Sequence, residues 1–521
     1  MCTTPQKLRA VARRPAVVAL AILIFVLAVA YHNVIFLGES LAASSNYHPF
    51  DARAGSVRHG SFTGNALVNW YDLGGAWWQW EPAAVKFSHA LREGRWPVWD
   101  PALAGGLDAH VSVVQGQYYP PYLLLLFFGN GTALRDTYYL AQLFITALFC
   151  FLLLLRNGCS PFSGATMGVL YALSGCLTQN INSILGQSFA VLPVMIWAAD
   201  YVLETPVWRR AGIGALVLAV CTLSSFLPIV ISGYVLVAIY IVVAIVMRPG
   251  GNSVDALRTA LRPLAVAVSA IVLSLLLVAF LLSPVQIASQ GDPVFASWYE
   301  RIGLQAFEPD LLLTLVSPSV SYDMLTTDAS TRLFRSPYSA GFHYCGIVAI
   351  TLAFLARSRS YDPRRRRLVL FFRIASAGLL LKLLGVAPFQ WLGYVPVLRS
   401  VHFVPYFGGA LAFAVAGLAA MGVETILRRR SRMDVLVSLV VLVTVVIGIL
   451  RFAQSAEITP TLTGPVLMGT IAREAIEIAR IVLIALAGVV VLVLRSWKLS
   501  GRGVALALIA TAKDGRRIPT A

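Results

Sequence analysis

Ten stretches of this chain are apolar over a length that crosses the ~30 Å hydrocarbon layer of a bilayer. They fall at about 15–37, 133–155, 184–204, 228–247, 265–284, 338–356, 368–387, 403–426, 434–452 and 476–495. Shorter or more polar candidates lie at 162–180 and 211–226, which brings the expected count to about twelve. Only 12% of residues are charged, against about 25% in a globular domain. A water-soluble fold has no place to bury that much apolar surface. The expected fold is therefore an all-α integral membrane protein, a polytopic helix bundle with a small extracytoplasmic cap.

Charge placement tests the count. Lys7, Arg9, Arg13 and Arg14 precede the first span and should stay cytoplasmic. With twelve crossings, the clusters at Arg209-Arg210, Arg248 to Arg262, Arg357 to Arg367, Arg428 to Arg432 and from Arg495 onward fall on the same side. The net charge of +17 is thus read as membrane orientation, with no nucleic-acid partner. Both termini are expected in the cytoplasm, and the first span is expected to be a retained anchor. The six cysteines are scattered, mostly in or beside apolar runs, and are read as apolar fillers. Asp200, Glu204, Lys382, Glu424 and Arg451 fall near span ends, where they are expected to reach water or headgroups.

This topology leaves two large outer segments, 38–117 and 285–337, on a single polytopic domain covering 1–521. The run Tyr118–Phe128 is too short to cross and carries Pro120-Pro121, so it is expected to be re-entrant or interfacial. Within the first loop, six of eleven tryptophans lie between Trp70 and Trp99, with Asp72, Glu81, Asp100 and Asp108 among or just beyond them. A helix is expected from about Pro82 to Glu93, stopping at Gly94, with Val85, Phe87 and Leu91 forming its apolar side. Two readings of the cluster stand side by side. It is an aromatic belt at the headgroup level, or it is a surface for stacking sugars and holding lipid, with Trp77, Trp80, Trp96 and Trp99 as its rings. Asp72 is likewise either a helix cap or solvated loop carboxylate, or a working acid–base group.

The succession Asp72, then Gly94-Arg95-Trp96-Pro97-Val98-Trp99-Asp100-Pro101, then Gly105-Gly106, Gln115 and Tyr119-Pro120 resembles the first outer loop of the YfhO family of bacterial membrane proteins, among the GT-C type glycosyltransferases. Asp310 to Pro318, Tyr338 to Ile347 and Leu398 to Phe403 are similar to three later parts of that family, which usually has Asn at the position of Asp100 and Arg at that of His402. The resemblance implies a GT-C-like fold and transfer of a sugar from a polyprenyl-phosphate-linked donor to an envelope glycan or glycolipid acceptor on the outer face. Such a transfer needs a base for the acceptor hydroxyl. Asp72 is the first choice, followed by Glu81 and Asp108. The leaving phosphate needs cationic partners, for which Arg399 with His402 stands first and Arg332 with Arg335 second. Each arginine reads equally as an anchor to membrane lipid phosphates. No two acidic residues are adjacent on the loop, so no obligatory metal and no cofactor are expected. The rival readings are a lipid or polysaccharide flippase or transporter, and a non-catalytic assembly protein.

Overall fold

The computed structural model describes residues 5–41, 80–96, 99–100, 107–108, 116–129, 131–224, 226–248, 253–283, 302–304, 306, 315, 344–356, 362–399 and 401–428. Asp72, Trp77, Arg332, Arg335, Arg451 and the expected spans at 434–452 and 476–495 lie outside the described residues.

Helices dominate. α1 (Pro5–Ala30) and α2 (His32–Phe36) cover the expected first span, whose apolar helix, Pro15–Ala30, is too short to count as a crossing. α3 (Glu81–Arg92) follows, with Pro82 in its first turn, Glu93 as its C-cap and Gly94 at φ 71° just beyond. A two-residue antiparallel ladder pairs β1 (Trp99–Asp100) with β2 (Leu107–Asp108). α4 (Pro120–Phe128) is the expected short apolar piece, and α5 (Thr132–Arg156) is the first long one. Next come α6 (Pro161–Ala172), α7 (Gly175–Thr178), α8 (Ile184–Ala190), α9 (Leu192–Glu204), α10 (Trp208–Thr222), α11 (Leu227–Val246) and α12 (Ser253–Leu277). After α13 (Ile347–Phe354), α14 (Pro363–Leu383) bends by 85° into α15 (Ala387–Gln390) and a 3-10 turn over Trp391–Tyr394. α16 (Pro396–Arg399), α17 (Phe403–Tyr406) and α18 (Gly408–Arg428) close the described part.

Among the described residues, Thr132–Arg156, Ile184–Glu204, Leu227–Val246, Ala260–Leu277 and Phe403–Arg428 are each long and apolar enough to cross a membrane, and the bent pair Pro363–Leu383 with Ala387–Tyr394 adds a sixth candidate. The fold is that of an α-helical membrane protein. Tight packing between helices uses small residues, because lipid supplies no hydrophobic drive between spans. Gly422 is one such point: a Cβ there would collide with the Leu352 carbonyl on α13.

The bundle has two chemically different ends. At one, three carboxylates gather arginines. Asp200 takes Arg156 and Arg367, each at 2.8 Å, and the Tyr240 hydroxyl at 2.5 Å. Glu204 takes Arg156, Arg210 and Arg364. Glu424 accepts from Arg428, the Ser160 amide and the Ser163 hydroxyl. Asp200, Glu424 and Lys382 are 2%, 0% and 1% exposed, so they do not reach water as their place near span ends suggested. Their partners are internal, and burying an ionised group requires such partners.

At the opposite end, Lys382 donates to Gly303 O at 2.8 Å and Gln390 Oε1 at 2.7 Å, with the Phe403 ring 4.3 Å away. This ties the 3-10 turn Ile302–Leu304 to the bend after α14.

Candidate functional site

The end that holds Lys382 also holds Trp80 and Glu81 of the first loop. Glu81 sits in the first turn of α3, where a carboxylate is favoured by the exposed amides of a helix start. α3 packs along α4: Ala84, Phe87 and Leu126 are buried together, and Ser88 Oγ donates to Leu126 O at 2.7 Å. Val85, expected on the apolar side, is 42% exposed; the packed side is set by Phe87 and Leu91 instead.

This packing points Glu81 at the first turn of α5. Arg135 Nη1 lies 2.9 Å from Glu81 Oε2, and the two side chains are 9% and 7% exposed. Around the pair is a cavity of about 20 Å³. Trp80, Tyr122 and Tyr139 supply aromatic walls, while Asn182 and Gln187 close it from the α8 side. Burial raises the Tyr122 hydroxyl above its ordinary pKa, so it stays a protonated donor. On two residues that line the cavity, the buried donors Trp80 Nε1 and Arg135 Nε have no hydrogen-bond acceptor among the described residues.

Both ends of the first loop are fastened beside this cavity. Asp136, next to Arg135, accepts from the Leu41 amide at 2.8 Å and the Ser40 hydroxyl at 3.1 Å. Asn182 Nδ2 donates to Leu41 O at 3.1 Å. At the other root, Gly116 has φ 65°, and a Cβ there would lie 2.7 Å from Ile184 Cδ1 and 2.8 Å from Gln187 Nε2. Only glycine meets both demands at low cost. Gln187 itself accepts from Tyr138 at 2.5 Å and donates to Ser224 O at 3.0 Å.

Of the remaining candidates, Trp96 is 41% exposed and packs edge-on to Phe87 at 5.4 Å and tilted on Tyr118 at 5.7 Å, which in turn meets Phe280. Asp108 is the ladder partner of Trp99. Arg399 ends α16 and is exposed. His402 stands at the N-cap position of α17 without a capping hydrogen bond and packs on Tyr406, whose ring meets Phe226 at 4.7 Å. The Phe226 amide donates to Ser188 Oγ, itself bonded to Ser224 O. His402 therefore stands on the same layer as Gln187, separated from the cavity by this chain of contacts. Its Nε2 is buried without a hydrogen-bond partner, and burial pushes its pKa down to about 4, so the ring is neutral at pH 7.

The structure thus joins Glu81 and Trp80 in one cavity. Arg399 and His402 stand apart from it. Arg135, Asp136, Asn182 and Gln187 were absent from the sequence reading. The signal available was the Arg135-Asp136 pair inside the opening turn of an apolar span, a costly placement that marks function or specific pairing. No family model, curated protein or solved structure matches the chain.

Proposed function

We propose that this protein is a GT-C-like membrane glycosyltransferase that moves a sugar from a polyprenyl-phosphate-linked donor to a cell-envelope acceptor on the outer face of the bacterial cytoplasmic membrane. The observation that carries the reading is the buried Glu81–Arg135 pair in a cavity walled by tryptophan and tyrosine. Carboxylate, guanidinium and flat rings are the groups that bind sugar hydroxyls and sugar faces. An arginine-rich end favours the cytoplasm, which supports an outward-facing cavity.

In the reaction, the acceptor oxygen attacks the anomeric carbon as the bond to the donor phosphate breaks. The hydroxyl proton passes to a carboxylate, and the phosphate leaves with the bonding electrons. Asp72 is the proposed base, because Glu81 is already committed to Arg135. Glu81, with Asp108 as a second acidic group of the loop, serves the acceptor. Arg399 supplies the positive charge for the leaving phosphate, and the neutral His402 contributes a hydrogen bond. Arg332 and Arg335 reinforce that charge from the second outer segment, while Trp77, Trp96 and Trp99 offer stacking faces for the sugar or the lipid.

Asp72→Asn tests the proposal. Glycolipid and envelope-glycan profiles of a strain carrying only this variant should match those of a deletion strain, with one sugar missing. A normal product level would remove Asp72 as the base. Lipid translocation that persists with no covalent product in the wild type would favour a flippase.

A further inference from the structure

The cavity beside Glu81 holds two donors left unanswered by the described residues. Among the described residues, Trp80 Nε1 and Arg135 Nε are buried and have no acceptor, although buried donors are nearly always paired. The space they line is about 20 Å³, room for a single water-sized oxygen. An oxygen there would accept from the indole and the guanidinium. It would also lie on the wall formed by the Tyr122 hydroxyl and the Glu81 carboxylate, the latter able to accept a proton donor.

Charge decides what that oxygen belongs to. Glu81 and Arg135 cancel one another at 2.9 Å. Asp136, fixed by Leu41 and Ser40 on the neighbouring position of α5, adds a negative charge just outside. A phosphate oxygen would arrive against this balance, at an arginine already neutralised. A hydroxyl brings no charge, offers an acceptor to the two orphaned N–H groups and has its own proton to give to Glu81.

We propose that the Trp80–Glu81–Arg135 cavity is a binding site for one hydroxyl group of a neutral carbohydrate, and that it discriminates against anionic groups. The site stands as a polyol site by itself; calling that hydroxyl part of the acceptor rests on the transfer reading above.

The test uses the full-length protein labelled with 5-fluorotryptophan, in phosphatidylcholine nanodiscs free of sugar-based detergent. The Trp80 resonance is assigned by its loss in Trp80→Phe. The other ten of the eleven tryptophans report whether each variant keeps its fold. Methyl β-D-glucopyranoside should shift the Trp80 resonance saturably, and inorganic phosphate should not. Arg135→Lys, which keeps the charge but loses the Nε donor, should abolish the shift. Tyr122→Phe, which removes one hydroxyl from the wall, should weaken it about fivefold. A response to phosphate in place of the glucoside, no response to either, or an unchanged response in both variants would each overturn the site. Glycolipid profiling of the deletion strain reports separately on the transfer reading. A missing sugar with a silent Trp80 sinks the site alone, and an unchanged profile with a responding Trp80 sinks the reaction alone.

Discussion

Arg367 reaches Asp200 across the bundle at 2.8 Å, joining residues 167 positions apart in the chain. Asp200 is 2% exposed and also holds Arg156 and Tyr240. Replacing it with Ala leaves two half-buried guanidinium groups without their anion. The expected loss is about 3 kcal/mol, read as a clear drop in Tm of the purified protein. Asp200→Asn should recover only part of it, since the amide restores hydrogen bonding without charge.

His402 predicts a pH dependence of stability. Its pKa falls from an ordinary 6.5 to about 4 in the folded protein, through burial. Between these values the unfolded chain binds a proton that the folded chain does not. The contribution of His402 is therefore complete above pH 6.5 and is lost as pH falls toward 4. Tm measured across this range should decline on acidification, and His402→Gln should flatten that part of the curve.

Gly116 should not tolerate alanine. The substitution combines a positive φ with a Cβ pressed on Ile184 and Gln187, at a cost of about 1–3 kcal/mol. The loop root is expected to lift from α8. Limited proteolysis near residues 110–117 should accelerate in Gly116→Ala and stay at the wild-type rate in Gly131→Ala, where a Cβ meets open space.

Lys382 predicts a local effect. Its Nζ satisfies Gly303 O and Gln390 Oε1. Lys382→Met leaves both oxygens unpaired, at about 1–3 kcal/mol each. Hydrogen exchange at Ile302–Leu304 should rise well above that of α14 itself. Equal protection in variant and wild type would show that the turn is held by other contacts.

Five of the expected spans, and a sixth as the bent pair, were legible in the sequence, while the runs expected at 15–37 and 211–226 form helices too short to cross. The expected 184–204 and 133–155 correspond to Ile184–Glu204 and Thr132–Arg156, because a long apolar run beside a bilayer has few alternatives. The stretch at 162–180 was harder: it divides into α6 and α7 at Ser174, whose hydroxyl turns back to Tyr171 O. The helix over 82–93 was readable from Pro82 and Gly94, whose conformational demands are local. The cavity was not. Glu81 was singled out, but its partner lies on a different helix, and nothing in one sequence announces that Arg135 and Glu81 meet. Asp200 and Glu424 were misjudged for the same reason. Their burial depends on Arg367 and Ser160, distant residues whose approach only the packed bundle makes visible.

The fastening at Leu41 uses that residue's own main-chain N–H and C=O, gripped by Asp136 and Asn182. Its side chain is held as well, 1% exposed within the core, so backbone bonds and packing fix the same point. The chain beyond position 41 therefore departs from the helical frame at an immovable point, and α3 returns to that frame through its own side chains at Glu81, Phe87 and Ser88.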